Sequence, residues 1–69
     1  MRRKQVQSSA IRSVGYDARR EIFEIEFTSG THYQYDEFPQ SLDEEFMRAH
    51  SKGQFFREYI LEEFSFSRV

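Results

Sequence analysis

The sequence predicts a two-layer α+β domain: a three-stranded antiparallel sheet followed by two helices packed on one of its faces, in the order β-β-β-α-α. Three observations lead there. Residues 21–36 alternate apolar and polar side chains around a Thr28-Ser29-Gly30 interruption, which is the period of a strand pair. Ser41-x-x-Glu44 and Ser51-x-x-Gln54 each stand before apolar residues at helical spacing. The chain has 69 residues and no cysteine, so it holds one small core without disulfide support. A domain of this size buries only about 60% of the surface that its unfolded chain exposes. Eight Phe and four Tyr compensate, since each aromatic ring buries roughly 150–250 Å².

In chain order, residues 1–8 (MRRKQVQS) are polar and aperiodic and read as a flexible basic tail, leaving 9–69 as a single domain. Residues 9–16 carry the β-branched and aromatic residues of a first strand. Ile11 and Val14 fall on opposite faces of an ideal strand, which suggests a bulge or close approach at Gly15. Asp17–Arg20 is a polar turn. Over 21–28, Phe23, Ile25 and Phe27 alternate with Glu24 and Glu26, giving one apolar and one acidic face. The next strand is Thr31–Asp36. A two-residue turn would place Tyr33 and Tyr35 beside the glutamates. A three-residue loop with Gly30 left-handed pairs Ile25 with Tyr33 and Phe23 with Tyr35, collecting all five apolar residues on one face. The second register is the expected one.

Phe38-Pro39 ends the sheet segment, and Ser41 is expected to cap a helix whose buried stripe is Leu42, Phe46 and Ala49. Ser51 is expected to cap a second helix over about 52–63, with Phe56, Tyr59, Ile60 and Glu63 on one side. The alternating Phe64-Ser65-Phe66-Ser67-Arg68-Val69 admits a short C-terminal strand.

Charge is unevenly distributed. The net charge of −2 divides into +5 over residues 1–20, −8 over 21–45 and +1 over 46–69. Such a chain can offer a basic patch to an anion, or its charges can pair with one another. No apolar run approaches the ~20 residues of a membrane helix, and no apolar segment follows Met1-Arg2-Arg3-Lys4, so the expected location is cytoplasmic, with no membrane partner.

Catalytic patterns are missing. His32 and His50 lack metal-ligand spacing, so no metal site is expected. Asp43-Glu44-Glu45 suits the dipole of a helix start. No nucleophile elbow, phosphate loop or dinucleotide turn can be written with three glycines, and no cofactor is implied. A chain this short is also not expected to enclose a pocket of ~300 Å³. Two features remain for binding. Ser51-Lys52-Gly53 at a helix start combines free N–H groups, a cation and a small residue, the recipe for an anion site or simply for a tight interhelical turn. Tyr33 and Tyr35 share a sheet face; open, they stack nucleobases, and covered, they are core.

The order of these features resembles the KTSC domain, which occurs at the C-terminus of some lysyl-tRNA synthetases and alone in small bacterial and phage proteins. The resemblance is carried by Ser8-Ser9-x-Ile11, Val14-Gly15-Tyr16-Asp17, Phe27-Thr28-Ser29-Gly30, Tyr33-Gln34-Tyr35, Phe38-Pro39, Phe46, Ser51-Lys52-Gly53 and Phe55-Phe56, over about residues 7–66. Phe38 is a mild departure, because an aliphatic residue is commoner before the proline. The synthetase context implies RNA, tRNA in particular, as a partner. The expectation is a non-catalytic nucleic-acid-binding module. Arg2, Arg3, Lys4, Arg12, Arg19 and Arg20 would meet phosphates, Ser51, Lys52 and Gly53 would make a second contact, and Tyr33 and Tyr35 would stack if exposed. The alternative is a protein-interaction or self-assembly module, for a protein partner or a homodimer, using the free sheet edge, the acidic stretch, Phe64 and Phe66.

Overall fold

The computed structural model describes residues 3–69. The expected α+β class is observed, with five strands among the described residues: the three expected, the short C-terminal strand that the sequence admits, and one more near the N-terminus. These are β1 (Arg3–Gln5), β2 (Ile11–Asp17), β3 (Ile22–Phe27), β4 (His32–Tyr35) and β5 (Phe66–Arg68). Helices α1 (Gln40–Arg48) and α2 (Lys52–Tyr59) lie between β4 and β5. The strands form one antiparallel sheet in the order β1-β2-β3-β4-β5.

The expected hairpin register holds. Phe23 pairs with Tyr35 and Ile25 with Tyr33, Gly30 has φ +97°, and the Phe27 N–H donates to the Thr31 carbonyl at 2.9 Å. The left-handed Gly30 closes a three-residue loop and keeps the apolar side chains in phase. The kink in β2 is real but sits at Arg12 instead of Gly15. Ile11 pairs with Phe27 and Ser13 with Glu26, leaving Arg12 as the extra residue. That bulge returns both Ile11 and Val14 to the buried face.

Four other boundaries differ from expectation. Part of the expected tail is a strand: Arg3, Lys4 and Gln5 pair with Gly15, Val14 and Ser13. Local propensity gives no hint of this, because the anchor is long-range. The Arg3 guanidinium ion-pairs with Glu24 on β3 and donates to Ser13 Oγ at 3.4 Å. Arg2 lies outside the described residues. The first strand begins at Ile11 and not at Ser9, because the Ser8 hydroxyl accepts from the N–H groups of Ala10 and Ile11 and folds that segment into a turn. Ser41 does not cap α1. Pro39 is the N-cap, and its carbonyl accepts from the N–H groups of Leu42 and Asp43, so Ser41 already sits inside the first turn. Helix α2 stops at Tyr59, not near 63. The N–H groups of Ile60 and Leu61 both close on the Phe56 carbonyl, and the chain turns back so that Phe64 reaches Phe38, 5.1 Å between ring centroids.

Between sheet and helices lies the core of Ile11, Val14, Phe23, Ile25, Tyr35, Phe38, Phe46, Phe56 and Ile60. Its centre is aromatic: Phe23 stacks on Phe38 at 4.4 Å and meets Phe46 edge-on at 5.3 Å. Among the described residues no helix covers the other sheet face. It carries a polar network in which Glu24 accepts from Gln34 at 2.9 Å and Glu26 accepts from the Ser13 hydroxyl at 2.9 Å. Those contacts hold the Glu26 carboxyl below its ordinary pKa, the Ser13 hydrogen bond first, with His32 and Arg12 adding to it. No helix among the described residues is long and apolar enough to cross a membrane.

Candidate ligand groove

Two segments 45 residues apart in sequence meet at one end of the sheet. One is the Val6–Ala10 connection before β2, shaped by the Ser8 hydroxyl. The other is the break between the helices. Ala49 and Ser51 are both extended (ψ 138° and 105°), which ends one helix and starts the next within three residues. The Ser51 hydroxyl accepts from the Gln54 N–H at 3.3 Å, so the expected N-cap is present. The reciprocal half of the capping box is not, because the Gln54 side chain donates to Glu58.

Between these segments runs an open trough of about 690 Å³. It is a groove and not an enclosed cavity, which is how a chain of 69 residues builds more than the ~300 Å³ that seemed out of reach. Ser8 and Ser9 form one wall. Ser51, Gly53 and Arg57 form the other, and Ile11, Phe27 and Phe56 make the floor. His50 and Lys52 also face it. Among the described residues no carboxylate lines it, in a chain with twelve Asp and Glu.

The sequence-derived candidates divide sharply. Ser51, Lys52 and Gly53 are in the groove, yet the Lys52 ammonium is already committed: it donates to the Met47 and Ala49 carbonyls at 3.0 and 2.7 Å. It thereby closes the C-terminus of α1. Gly53 is not forced by crowding, because an added Cβ would meet only Ser8 Oγ at an ordinary 3.8 Å. Arg12 lies at the same end of the sheet, 3.5 Å from Glu26 and largely exposed. Arg3 is held by Glu24 on the open face. Lys4 is on the other side of β1, where it draws the Asp43 carboxyl down against a larger upward push from burial. Arg19 and Arg20 sit in the turn that Asp17 organises by accepting from both of their N–H groups. That turn is at the far end of β2, roughly 20 Å from the groove at ~3.3 Å per strand residue. The basic N-terminal third therefore does not gather into one patch.

Tyr35 is fully buried, and burial, with the neighbouring Tyr33 adding to it, pushes its phenol up to about 12. Tyr33 is half-buried between Phe27 and Phe66. Tyr35 is therefore core, the covered alternative, while Tyr33 packs against the core and keeps part of its surface exposed.

Sequence reasoning missed Arg57, His50 and the part played by Ser8 and Ser9. Arg57 had a signal, since it lies four residues beyond Gly53 and so on the same helix face. The serines had none beyond the family pattern, because nothing local points to a partner 45 residues away.

The architecture defines a class: a small α+β module, a five-stranded meander with a helix pair inserted before its last strand. Comparison with known proteins agrees. The KTSC domain profile matches residues 7–64. A KTSC domain protein of Yersinia pestis has a crystal structure that superposes with a TM-score of 0.94 at 39% identity, covering 99% of this chain and 96% of that one. An uncharacterized protein of Stutzerimonas stutzeri is 40% identical over 58 residues, 84% of this chain and 82% of its own. A lysine–tRNA ligase of Nostoc punctiforme is 35% identical over 63 residues, 91% of this chain but only 11% of the ligase. This chain belongs to the KTSC domain family.

Proposed function

We propose that this protein is a non-catalytic binding module that takes RNA by its phosphate backbone, with the groove at the start of α2 as the contact. One observation supports the reading: among the described residues, no carboxylate lines this groove, in a chain otherwise rich in them. An anion entering there meets the N-terminal N–H groups of α2, the Ser8 and Ser9 hydroxyls and the Arg57 guanidinium, with no desolvated acid to oppose it. Arg12, turned outward by its bulge at the same end, extends the contact along a strand. The similarity to a segment of lysine–tRNA ligases favours a tRNA over other polyanions. A cytoplasmic site of action goes with that reading.

Affinity for bulk tRNA, followed by fluorescence anisotropy at rising salt, tests it. Two or three phosphate contacts predict a log–log slope of roughly −1.4 to −2 at ~0.7 per contact on a single strand. Arg57→Glu is expected to weaken binding about tenfold at low salt, or ~1.4 kcal/mol. Binding that is absent at low salt, or indifferent to Arg57→Glu, contradicts the proposal.

A further inference from the structure

The two edges of the sheet differ in what they present. The β1 edge carries Arg3 and Lys4, and two copies brought together there would oppose like charges, a common protection of edge strands. The β5 edge alternates a ring and a cation, so two copies can meet there without opposing like charges. It carries Phe66, which is 51% exposed, and Arg68. Among the described residues no strand lies beyond it.

The hydrogen-bond phase of β5 fixes what that edge can do. The Val69 N–H donates to the His32 carbonyl and the Asp36 N–H to the Ser65 carbonyl. Residues 65, 67 and 69 therefore turn their backbone groups inward to β4. By the alternation of an antiparallel ladder, Phe66 and Arg68 turn theirs outward. We infer that this edge pairs with the β5 edge of a second copy of this chain across a two-fold axis at Ser67, giving a continuous ten-stranded sheet. Centred there, Phe66 of each copy opposes Arg68 of the other, and both members of each pair are the outward-facing residues, so four N–H···O=C bonds form. Each exposed ring meets a guanidinium on the helix side of the sheet, and Ser67 meets its own symmetry mate on the open face. The surface is self-complementary, as a two-fold interface requires. It is also small, so the dimer is concentration-dependent.

Sedimentation equilibrium of the full chain from micromolar to millimolar concentration tests this. The weight-average mass is expected to climb from 8.4 kDa towards twice that value. Arg68→Pro removes an outward N–H without touching the bonds to β4, and is expected to stay monomeric with an unchanged circular dichroism spectrum. Phe66→Glu separates this register from simple hydrophobic sticking. It places a carboxylate opposite Arg68, so the dimer should persist and now weaken with salt. A parent chain that stays monomeric at millimolar concentration, an Arg68→Pro chain that dimerises, or a folded Phe66→Glu chain that does not, overturns the inference.

Discussion

Helix α2 separates two clefts of opposite character. At its start the groove holds Arg57, His50 and Lys52 and no acid. Beyond its end, a cleft of about 380 Å³ is lined by Asp36, Glu37, Glu63, Phe64 and Ser65, with no base among the described residues. The chain's charges are segregated along the sequence, but that segregation does not produce this one. The basic N-terminal third is dispersed by the meander, with Arg3 drawn to Glu24 and Arg19 and Arg20 carried to the far turn. The cationic groove is assembled from the nearly neutral last third instead. Local charge density in a sequence says little about local potential until the topology has placed it. Here the result is a charge polarity along one helix, with cations at its start and carboxylates beyond its end.

The largest effect comes from breaking the platform on which both clefts stand. Phe46 is fully buried, lies under Lys52 at 6.0 Å and packs edge-on against Phe55 of α2 at 5.9 Å. Phe46→Ala is expected to cost about 3–5 kcal/mol, enough to unfold much of a domain this small at 25 °C, as thermal or urea denaturation would register. A destabilisation under ~1 kcal/mol would mean that α2 is held mainly by other contacts.

Charge changes come next. Neutralising the acidic cleft with Glu37→Gln and Glu63→Gln is expected to alter tRNA affinity less than about twofold, against the tenfold loss expected for Arg57→Glu, because solvent and salt screen exposed charges beyond about 10 Å. Equal responses at the two ends, read by anisotropy, would erase the proposed polarity.

The smallest effect concerns the floor of the helix layer. The Tyr35 hydroxyl is buried without a hydrogen-bond partner among the described residues, and its ring abuts Phe56 at 5.9 Å. An unpaired buried hydroxyl costs about 1–3 kcal/mol. Tyr35→Phe is therefore expected to leave stability unchanged or raise it by up to ~1 kcal/mol. A clear loss in melting temperature would reveal a partner for that hydroxyl.

What could be read from the sequence follows from how local the causes are. The β3–β4 register was legible because, of the two phases open to the turn, only the one with Gly30 left-handed collects the five alternating apolar residues on one face. The Ser51 cap was legible because its acceptor and donor are three residues apart. Strand β1 was not, since it depends on Arg3 reaching across β2 to Glu24, and neither was the bulge at Arg12, which is defined by a partner strand. At the site the sequence marked Ser51-Lys52-Gly53 correctly as a helix start. It could not show that Lys52 closes the preceding helix or that Ser8 faces Gly53, because both depend on how the chain returns on itself.

The most direct test of the groove is a two-dimensional amide NMR titration of the labelled domain with bulk tRNA at low and moderate salt. The account predicts shifts concentrated at Ser8–Ile11, His50–Gln54 and Arg57, weakening as salt rises, with Asp36, Glu37 and Glu63 unmoved. Shifts centred on Arg19 and Arg20, or a spectrum unchanged at low salt, would contradict it.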